Sequence, residues 1–274
     1  MLDFYLWLIV QIVLEGFPVS SSGHVSLVEL CLQRLGYSTV HASTVYIDFL
    51  HHDFIAVNLL EHLVHGVTVA LLVLFFYTRW TFLVRHVSHC WRIVLKIIGY
   101  TFAADCMTAL FYILFQHHVR VWWPLGVGFF ITACALYSLH WCTDSRRASF
   151  TLPIAVLLGA TQGMALLPGI SRFGLTYVVA RWCALPAHKA FEISFLMQWP
   201  LILVAFLHSL WVVSAHAHNY FFMQWHTLGV MVCAGIVAFV ALKGSAYLSA
   251  TNRLGLFAYY MVIPITAWVL LIAL

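Results

Sequence analysis

Charged residues are scarce in this chain. Aspartate, glutamate, lysine and arginine make up 8% of its 274 residues, whereas a typical soluble domain contains about 25%. Hydrophobic residues make up 64%, and the mean hydropathy is +0.96. This balance excludes a soluble globular protein, because too little polar surface is present to face water. The sequence therefore predicts an all-α integral membrane protein whose function lies within the membrane or at its surfaces.

Cysteine pairs at metal-binding or disulfide spacing are also missing. The seven cysteines are scattered through apolar stretches without a C-x-x-C pair, which favours buried, inert thiols. Several histidines lie at segment ends without a fixed ligand spacing, and this favours interfacial anchors over a metal site. A basic region before the first apolar run is missing too, since Asp3 stands there. We therefore expect no cleavable signal peptide.

Six apolar stretches are long enough to cross a membrane, which takes about 20 residues per helix. Tryptophan and tyrosine cluster near their ends, as expected for interface anchors. The six predicted spans are Leu59–Tyr77, Ile93–Phe115, Val121–Trp141, Phe191–Val213, Thr227–Leu248 and Leu256–Leu274.

Two further apolar regions are broken in the middle by proline, glycine and serine. Leu2–Leu35 is interrupted at Pro18–Gly23, and Thr151–Leu185 is interrupted at Pro168–Gly174. Each half is too short to cross a membrane alone. Interrupted backbone at membrane depth is tolerated where protein or water covers it. We therefore predict two re-entrant helix pairs whose tips lie near the midplane.

The two broken regions resemble each other. Gln11 precedes the first interruption, Gln162 precedes the second, and three spans follow each. A re-entrant pair leaves the chain on the side from which it entered, and the three spans that follow carry the chain to the other side. The second re-entrant pair therefore enters the membrane from the opposite face. The sequence predicts a single membrane domain over 1–274, built as an inverted repeat of about 1–142 and 151–274. Such repeats place a site where the broken segments meet.

Basic residues are unevenly distributed between the two sides of this layout. Arg34 and Arg120 fall on one side, whereas ten lysines and arginines in the loops fall on the other. The richer side is expected to be cytoplasmic. The first tip then approaches from outside the cell and the second tip from the cytoplasm.

The residues at the two interruptions form a specific pair of motifs. These are Gln11-x-x-x-Glu15-x-x-Pro18-Val19-Ser20-Ser21-Ser22-Gly23-His24 and Pro168-Gly169-Ile170-Ser171-Arg172-Phe173-Gly174-Leu175-Thr176. Together they closely resemble the bacterial undecaprenyl-diphosphate phosphatases of the bacitracin-resistance type. The resemblance extends to Glu61–Gly66 and Phe191–Phe195, and it covers nearly the whole chain.

The resemblance implies hydrolysis of undecaprenyl diphosphate to undecaprenyl phosphate and inorganic phosphate, which recycles the lipid carrier for cell-wall synthesis. It implies a multi-pass protein of the bacterial inner membrane with its site facing the cell exterior. The expected partners are a polyprenyl diphosphate lipid and the membrane, not nucleic acid. Whether the protein forms a homodimer is left open.

Phosphate binding is expected at both tips. Arg172 carries a permanent charge and a planar fork that matches two phosphate oxygens. Gly23 and Gly174 allow close approach of the backbone, and each second half-helix begins with free amides and a positive dipole. With the resemblance, this gives the expected substrate-binding residues: Ser20, Gly23, His65, Gly169, Ser171, Gly174 and Thr176.

Several groups are candidates for the chemical step. His24 is favoured as proton acceptor or nucleophile, and Ser21 or Ser22 can act as nucleophile or phosphate donor. Glu15 can hold a cation or accept a proton from the nucleophile. Ser20 is expected to cap a half-helix.

A divalent cation, Mg²⁺ or Ca²⁺, is expected to be held by Glu15 with Gln11 and Glu61, since hard cations prefer oxygen ligands. The resembling family carries glutamate where Gln11 stands and usually a small serine where Phe173 stands. An ion pair within the first span is the alternative for Glu61 and His65. Glu192 and Ser194, at the corresponding place in the second half, are expected to be structural tethers.

Two other functions fit the same sequence. Inverted repeats with broken helices are typical of transporters, so a lipid-phosphate flippase is the alternative to an enzyme. Gln11 and Phe173 also leave open an inactive paralogue.

Overall fold

A computed structural model describes the fold over residues 2–36, 59–116, 123–142, 149–216 and 225–273. Every regular element within these ranges is helical, as the composition predicts. The backbone of Glu61 lies in a described helix, but its side chain does not belong to the described part of the chain. The predicted metal role of Glu61 therefore lies outside the described residues.

Twelve α-helices follow one another along the described chain. They are α1 (Leu2–Leu14), α2 (Ser21–Arg34), α3 (Leu59–Phe75), α4 (Tyr77–Arg85), α5 (Val87–Gln116), α6 (Leu125–Ser138), α7 (Leu152–Met164), α8 (Arg172–Trp182), α9 (Ala187–His216), α10 (Trp225–Ala250), α11 (Phe257–Tyr260) and α12 (Val262–Ala273). Short 3₁₀ turns at Leu139–Trp141 and Leu254–Leu256 extend α6 and precede α11.

Four described helical segments are long and apolar enough to cross a membrane. They are Trp91–Leu114, Ala187–Val212, Trp225–Ala250 and Leu254–Ala273, and they match four of the six predicted spans. The other two predicted spans are shorter in the described chain, at His62–Phe75 and Leu125–Trp141. The fold is that of an all-α integral membrane protein.

The two interrupted regions form pairs of short helices, as predicted. α1 and α7 have 13 residues each, or about 20 Å at 1.5 Å per residue, against an apolar core of about 30 Å. The second helix of each pair begins at a serine cap. Ser20 Oγ accepts from the Gly23 amide at 3.1 Å, and Ser171 Oγ accepts from the Gly174 amide at 3.0 Å. The predicted cap at Ser20 is confirmed.

Corresponding helices of the two halves pack on corresponding helices of the opposite half. α1 packs on α10 and α7 packs on α5, while α2 packs on α12 and α8 packs on α6. α3 and α9, the first spans of the two halves, pack on each other. The pattern is unchanged when the halves are exchanged, and the inverted orientation of the two halves stays a prediction. On the cytoplasmic side of the predicted layout, Glu192 pairs with Arg79 at 2.8 Å and so tethers α9 to α4.

The tips of the two broken pairs meet, as the sequence predicts. A Cβ added to Gly23 would lie 2.8 Å from the Gly169 Cα, and one added to Gly174 would lie 2.7 Å from the Pro18 carbonyl oxygen. Gly169 has a φ of +83°, a conformation that favours glycine. Glycine at these positions therefore lets the two backbones touch.

Candidate functional site

A cavity lies between the two tips, and it collects polar side chains from both. The first tip contributes three serines, and the second contributes a serine and an arginine. The residue that follows α1 adds an acid, and α3 adds an imidazole. These residues are Ser20, Ser21, Ser22, Ser171, Arg172, Glu15 and His65. Two broken segments distant in sequence thus supply one site, as matched interruptions in a repeat predict.

The Glu15 carboxylate is the centre of a small polar cluster. Its Oε1 accepts from Gln11 Nε2 at 3.0 Å and lies 2.7 Å from His65 Nδ1. Its Oε2 accepts from the Thr68 hydroxyl. Because His65 and Thr68 are three residues apart on α3, both reach the same carboxylate. The cluster fixes the acid at the cavity wall.

A resident cation does not fit the described residues well. Glu15 is the one carboxylate among the described cavity-lining side chains, and no described group of three His, Cys, Asp or Glu could hold a metal ion. Gln11 points its amide nitrogen, not its oxygen, at Glu15. Mg²⁺ and Ca²⁺ take six or more oxygen ligands. These side chains alone do not make a cation cage.

His24 lies beside the cavity and does not line it. Its Nδ1 is 2.6 Å from the Ser20 carbonyl oxygen, and its Nε2 is 3.1 Å from the Tyr260 hydroxyl. The carbonyl can only accept, so Nδ1 carries the proton and Nε2 accepts from Tyr260. The ring also stacks on Tyr260, with centroids 5.8 Å apart. The imidazole thus links α2 to the last span, a location that gives the predicted proton-accepting role no support.

The remaining predicted binding residues lie at the contact between the tips or inside a helix. Gly23 and Gly174 face the opposite tip, and Gly169 faces the backbone of α6, so protein fills the space in which a phosphate was expected to approach them. Thr176 is fully buried and donates to the Arg172 carbonyl at 2.8 Å. The structure therefore places these four residues in the framework of the site.

Comparison with known proteins identifies the family. A family model described as bacitracin resistance protein BacA matches residues 6–265. The chain belongs to the BacA family. The match agrees with the resemblance of the two motifs and covers both helix pairs and the spans between them.

Relatives within the BacA family carry phosphatase names. An undecaprenyl-diphosphatase of Treponema denticola is 27% identical over 256 residues, which cover 92% of this chain and 90% of the relative. Undecaprenyl-diphosphatase 3 of Bacillus anthracis is 23% identical over 257 residues, covering 91% and 89%. An undecaprenyl-diphosphatase of Korarchaeum cryptofilum is 33% identical over 139 residues, and there the match spans about half of each protein, 51%.

Two polar residues of this BacA-family site have no counterpart among the sequence predictions. Thr68 lies one turn after His65 and bonds Glu15. Gln198 lines the cavity, is 6% exposed, and donates to the Ser194 carbonyl one turn earlier at 3.1 Å. Each lies outside the motifs, one turn from another polar residue of the same helix. The sequence feature that could have revealed them is their spacing of three or four residues from His65 and Ser194, which the sequence analysis did single out.

Phe173, which departs from the pattern of the resembling family, forms part of an apolar wall of the cavity. It is 4% exposed and packs on Phe195, with ring centroids 4.4 Å apart, and on Phe191 at 5.4 Å. Leu72 and Ile202 continue the same wall. The cavity thus has a polar end and an apolar side, as an amphiphilic ligand requires.

Proposed function

We propose that this protein hydrolyses undecaprenyl diphosphate to undecaprenyl phosphate and inorganic phosphate, and so returns the lipid carrier to cell-wall synthesis. The observation that carries the proposal is the convergence of Arg172 from one tip with Glu15, Ser21 and Ser22 from the other on a single cavity. The names of the BacA-family relatives support the same substrate.

The charges and donors of the cavity suit a diphosphate. The Arg172 guanidinium offers two parallel N–H donors to phosphate oxygens, and such charge-assisted pairs are among the stronger hydrogen bonds. Ser171 and Ser22 add hydroxyl groups at either side of the same space. The head group is held where the apolar wall at Phe173 and Leu72 can meet the first part of the isoprenoid chain.

Ser21 or Ser22 supplies the attacking oxygen in this proposal, and Glu15 accepts its proton. The serine oxygen forms a bond to the terminal phosphorus. The bond from that phosphorus to the bridging oxygen breaks, and its electron pair leaves with undecaprenyl phosphate. Water then hydrolyses the phosphoserine and releases inorganic phosphate. The His24 ring, engaged by Ser20 and Tyr260, keeps the start of α2 in place.

Glu15 would provide one ligand to a divalent cation that binds together with the diphosphate. One carboxylate is too small a ligand set to hold Mg²⁺ or Ca²⁺ by itself, and the phosphate oxygens would provide further ligands. We expect the site to face the cell exterior, because the asymmetry of the basic loops predicts that the first tip enters the membrane from that side.

Phosphate release by the purified protein in detergent tests the proposal. Undecaprenyl diphosphate should yield equal amounts of inorganic phosphate and undecaprenyl phosphate, and the double variant Ser21→Ala, Ser22→Ala should yield neither. A flippase moves its lipid without changing it. A folded wild-type protein that binds the lipid but forms no product would therefore contradict the proposal and leave the transporter and the inactive paralogue as the alternatives.

A further inference from the structure

Side chains from the segment around α6 bond the exposed peptide groups of the second tip. Trp123 Nε1 donates to the Pro168 carbonyl at 3.2 Å, and Thr132 Oγ1 donates to the Gly169 carbonyl at 3.0 Å. The Ser171 amide in turn donates to Thr132 Oγ1 at 2.9 Å. Backbone at membrane depth that lacks helical bonds needs such partners. The shape of this tip is therefore set by α6 as well as by its own sequence.

The Thr132 hydroxyl is the centre of this arrangement. It donates to one peptide group of the tip and accepts from another, and so spans the peptide units on both sides of Ile170. The residue is 1% exposed, which means that no water replaces either bond at low cost. Nearby, a Cβ on Gly128 would lie 2.0 Å from the Pro168 carbonyl oxygen. α6 and the tip are thus in direct backbone contact.

The position of Arg172 depends on these bonds. Ser171 is the cap of α8, and Arg172 is the first residue of that helix. The peptide group that Thr132 holds is therefore the one that starts the helix carrying the guanidinium. Gly169, two residues before this cap, has no side chain of its own to hold the turn. A shift of the Ser171 amide would be passed on to the end of the long arginine side chain.

We propose that Thr132 is a positioning residue that holds the second tip so that Arg172 meets the diphosphate. The proposal rests on the proposed phosphatase function for its kinetic consequence. The structural part of the proposal, that the Thr132 hydroxyl holds the second tip in place, does not depend on that function. Thr132 itself is not among the residues that line the cavity.

Three variants test the proposal in the full-length protein. Thr132→Val keeps the shape of the side chain but removes both bonds, whereas Thr132→Ser keeps the hydroxyl. Thr108→Val is the matched control, because Thr108 is also buried and bonds two carbonyls, those of Ala104 at 3.1 Å and Gly159 at 3.0 Å. That control loses a bond between α5 and α7 that involves no peptide group of the tip.

Two measurements are made on each variant in detergent: hydrogen exchange of the amides in the peptide covering 168–172, and KM and kcat for phosphate release from undecaprenyl diphosphate. Thr132→Val should exchange these amides faster and raise KM at least about fivefold, as expected for lost buried hydrogen bonds. Thr132→Ser should restore both values. Thr108→Val should change neither, although its thermal stability falls.

Three results separate the possible failures. Unchanged exchange in Thr132→Val would overturn the control of the tip. Faster exchange with unchanged KM would overturn the link to Arg172 while leaving the phosphatase function intact. A wild-type protein that releases no phosphate would instead overturn the proposed function, and the exchange measurement would still decide whether Thr132 holds the tip.

Discussion

At the residue scale, Glu15 is held by three other side chains of the site. It receives contacts from the preceding helix α1, through Gln11, and from α3, through His65 and Thr68. An acid at membrane depth costs roughly 2.5 to 3.5 kcal/mol even on lenient insertion scales, and these donors offset that cost. The cluster therefore explains how one carboxylate persists beside the cavity without a second acid among the described lining residues.

Gln11→Glu tests whether a cation can act at this acid. The substitution would place a second carboxylate where an amide now lies 3.0 Å from Glu15. Two adjacent carboxylates repel each other unless a cation lies between them. We expect the variant to reach half-maximal phosphate release at a lower Mg²⁺ or Ca²⁺ concentration than the wild type. The measurement is a metal titration of activity for both proteins.

The opposite outcome of that titration is equally informative. An unshifted curve with a lower plateau would mean that Gln11 is adapted to its place as a donor to Glu15 and that this position binds no metal in this chain.

Sequence reasoning identified the cavity-lining acid, serines and arginine because they stand in two specific motifs. It did not find Thr68 or Gln198, since neither belongs to the two motifs. It also placed His24 in the chemistry, although the Tyr260 that engages its Nε2 is 236 residues away. Contacts of that kind depend on how the spans pack, and the local sequence does not contain them.

At the element scale, the contact between the two tips decides the shape of the site. The interruptions and the Ser20 cap followed from proline, glycine and serine patterns. The reason for the glycines did not. Gly23 and Gly174 were expected to leave room for a phosphate, but the opposite tip occupies that room. A sequence shows that a position needs glycine, and only the packed structure shows what approaches it.

Gly23→Ala should separate the tips. The new methyl group would lie 2.8 Å from both the Gly169 Cα and a ring carbon of Phe129, and overpacking of this kind costs about 1 to 3 kcal/mol. We expect a lower unfolding temperature in detergent and a loss of activity. Gly229→Ala is the control, since nothing lies within 4 Å of its added Cβ. Equal stability of both variants would show that the tips do not meet at Gly23.

At the scale of the whole molecule, the matching helix contacts of the two halves bear on how the protein is oriented in the membrane. If the halves are inverted, the start of α2 and the start of α8 reach the midplane from opposite faces of the membrane. The end of α2 then lies outside the cell, and the end of α10 lies in the cytoplasm with the basic loops.

Single cysteines test this orientation in a background without native cysteine. Leu35, which is 67% exposed, follows α2, and the exposed Thr251 follows α10. Leu35→Cys should react with an impermeant thiol reagent on intact cells, whereas Thr251→Cys should react only after lysis. Labelling of Thr251→Cys in intact cells would reverse the orientation and with it the outward-facing site.

The central claim is that Arg172 and the first tip act on one diphosphate, and phosphate release by Arg172→Lys tests it most directly. Lysine keeps the charge but loses the planar fork, a difference of roughly 1.5 to 3 kcal/mol for a charge-assisted pair. Purified Arg172→Lys should therefore release phosphate from undecaprenyl diphosphate at least about tenfold more slowly than the wild type. Arg253→Lys, at an exposed position, should match the wild type. Wild-type turnover by Arg172→Lys would contradict the account.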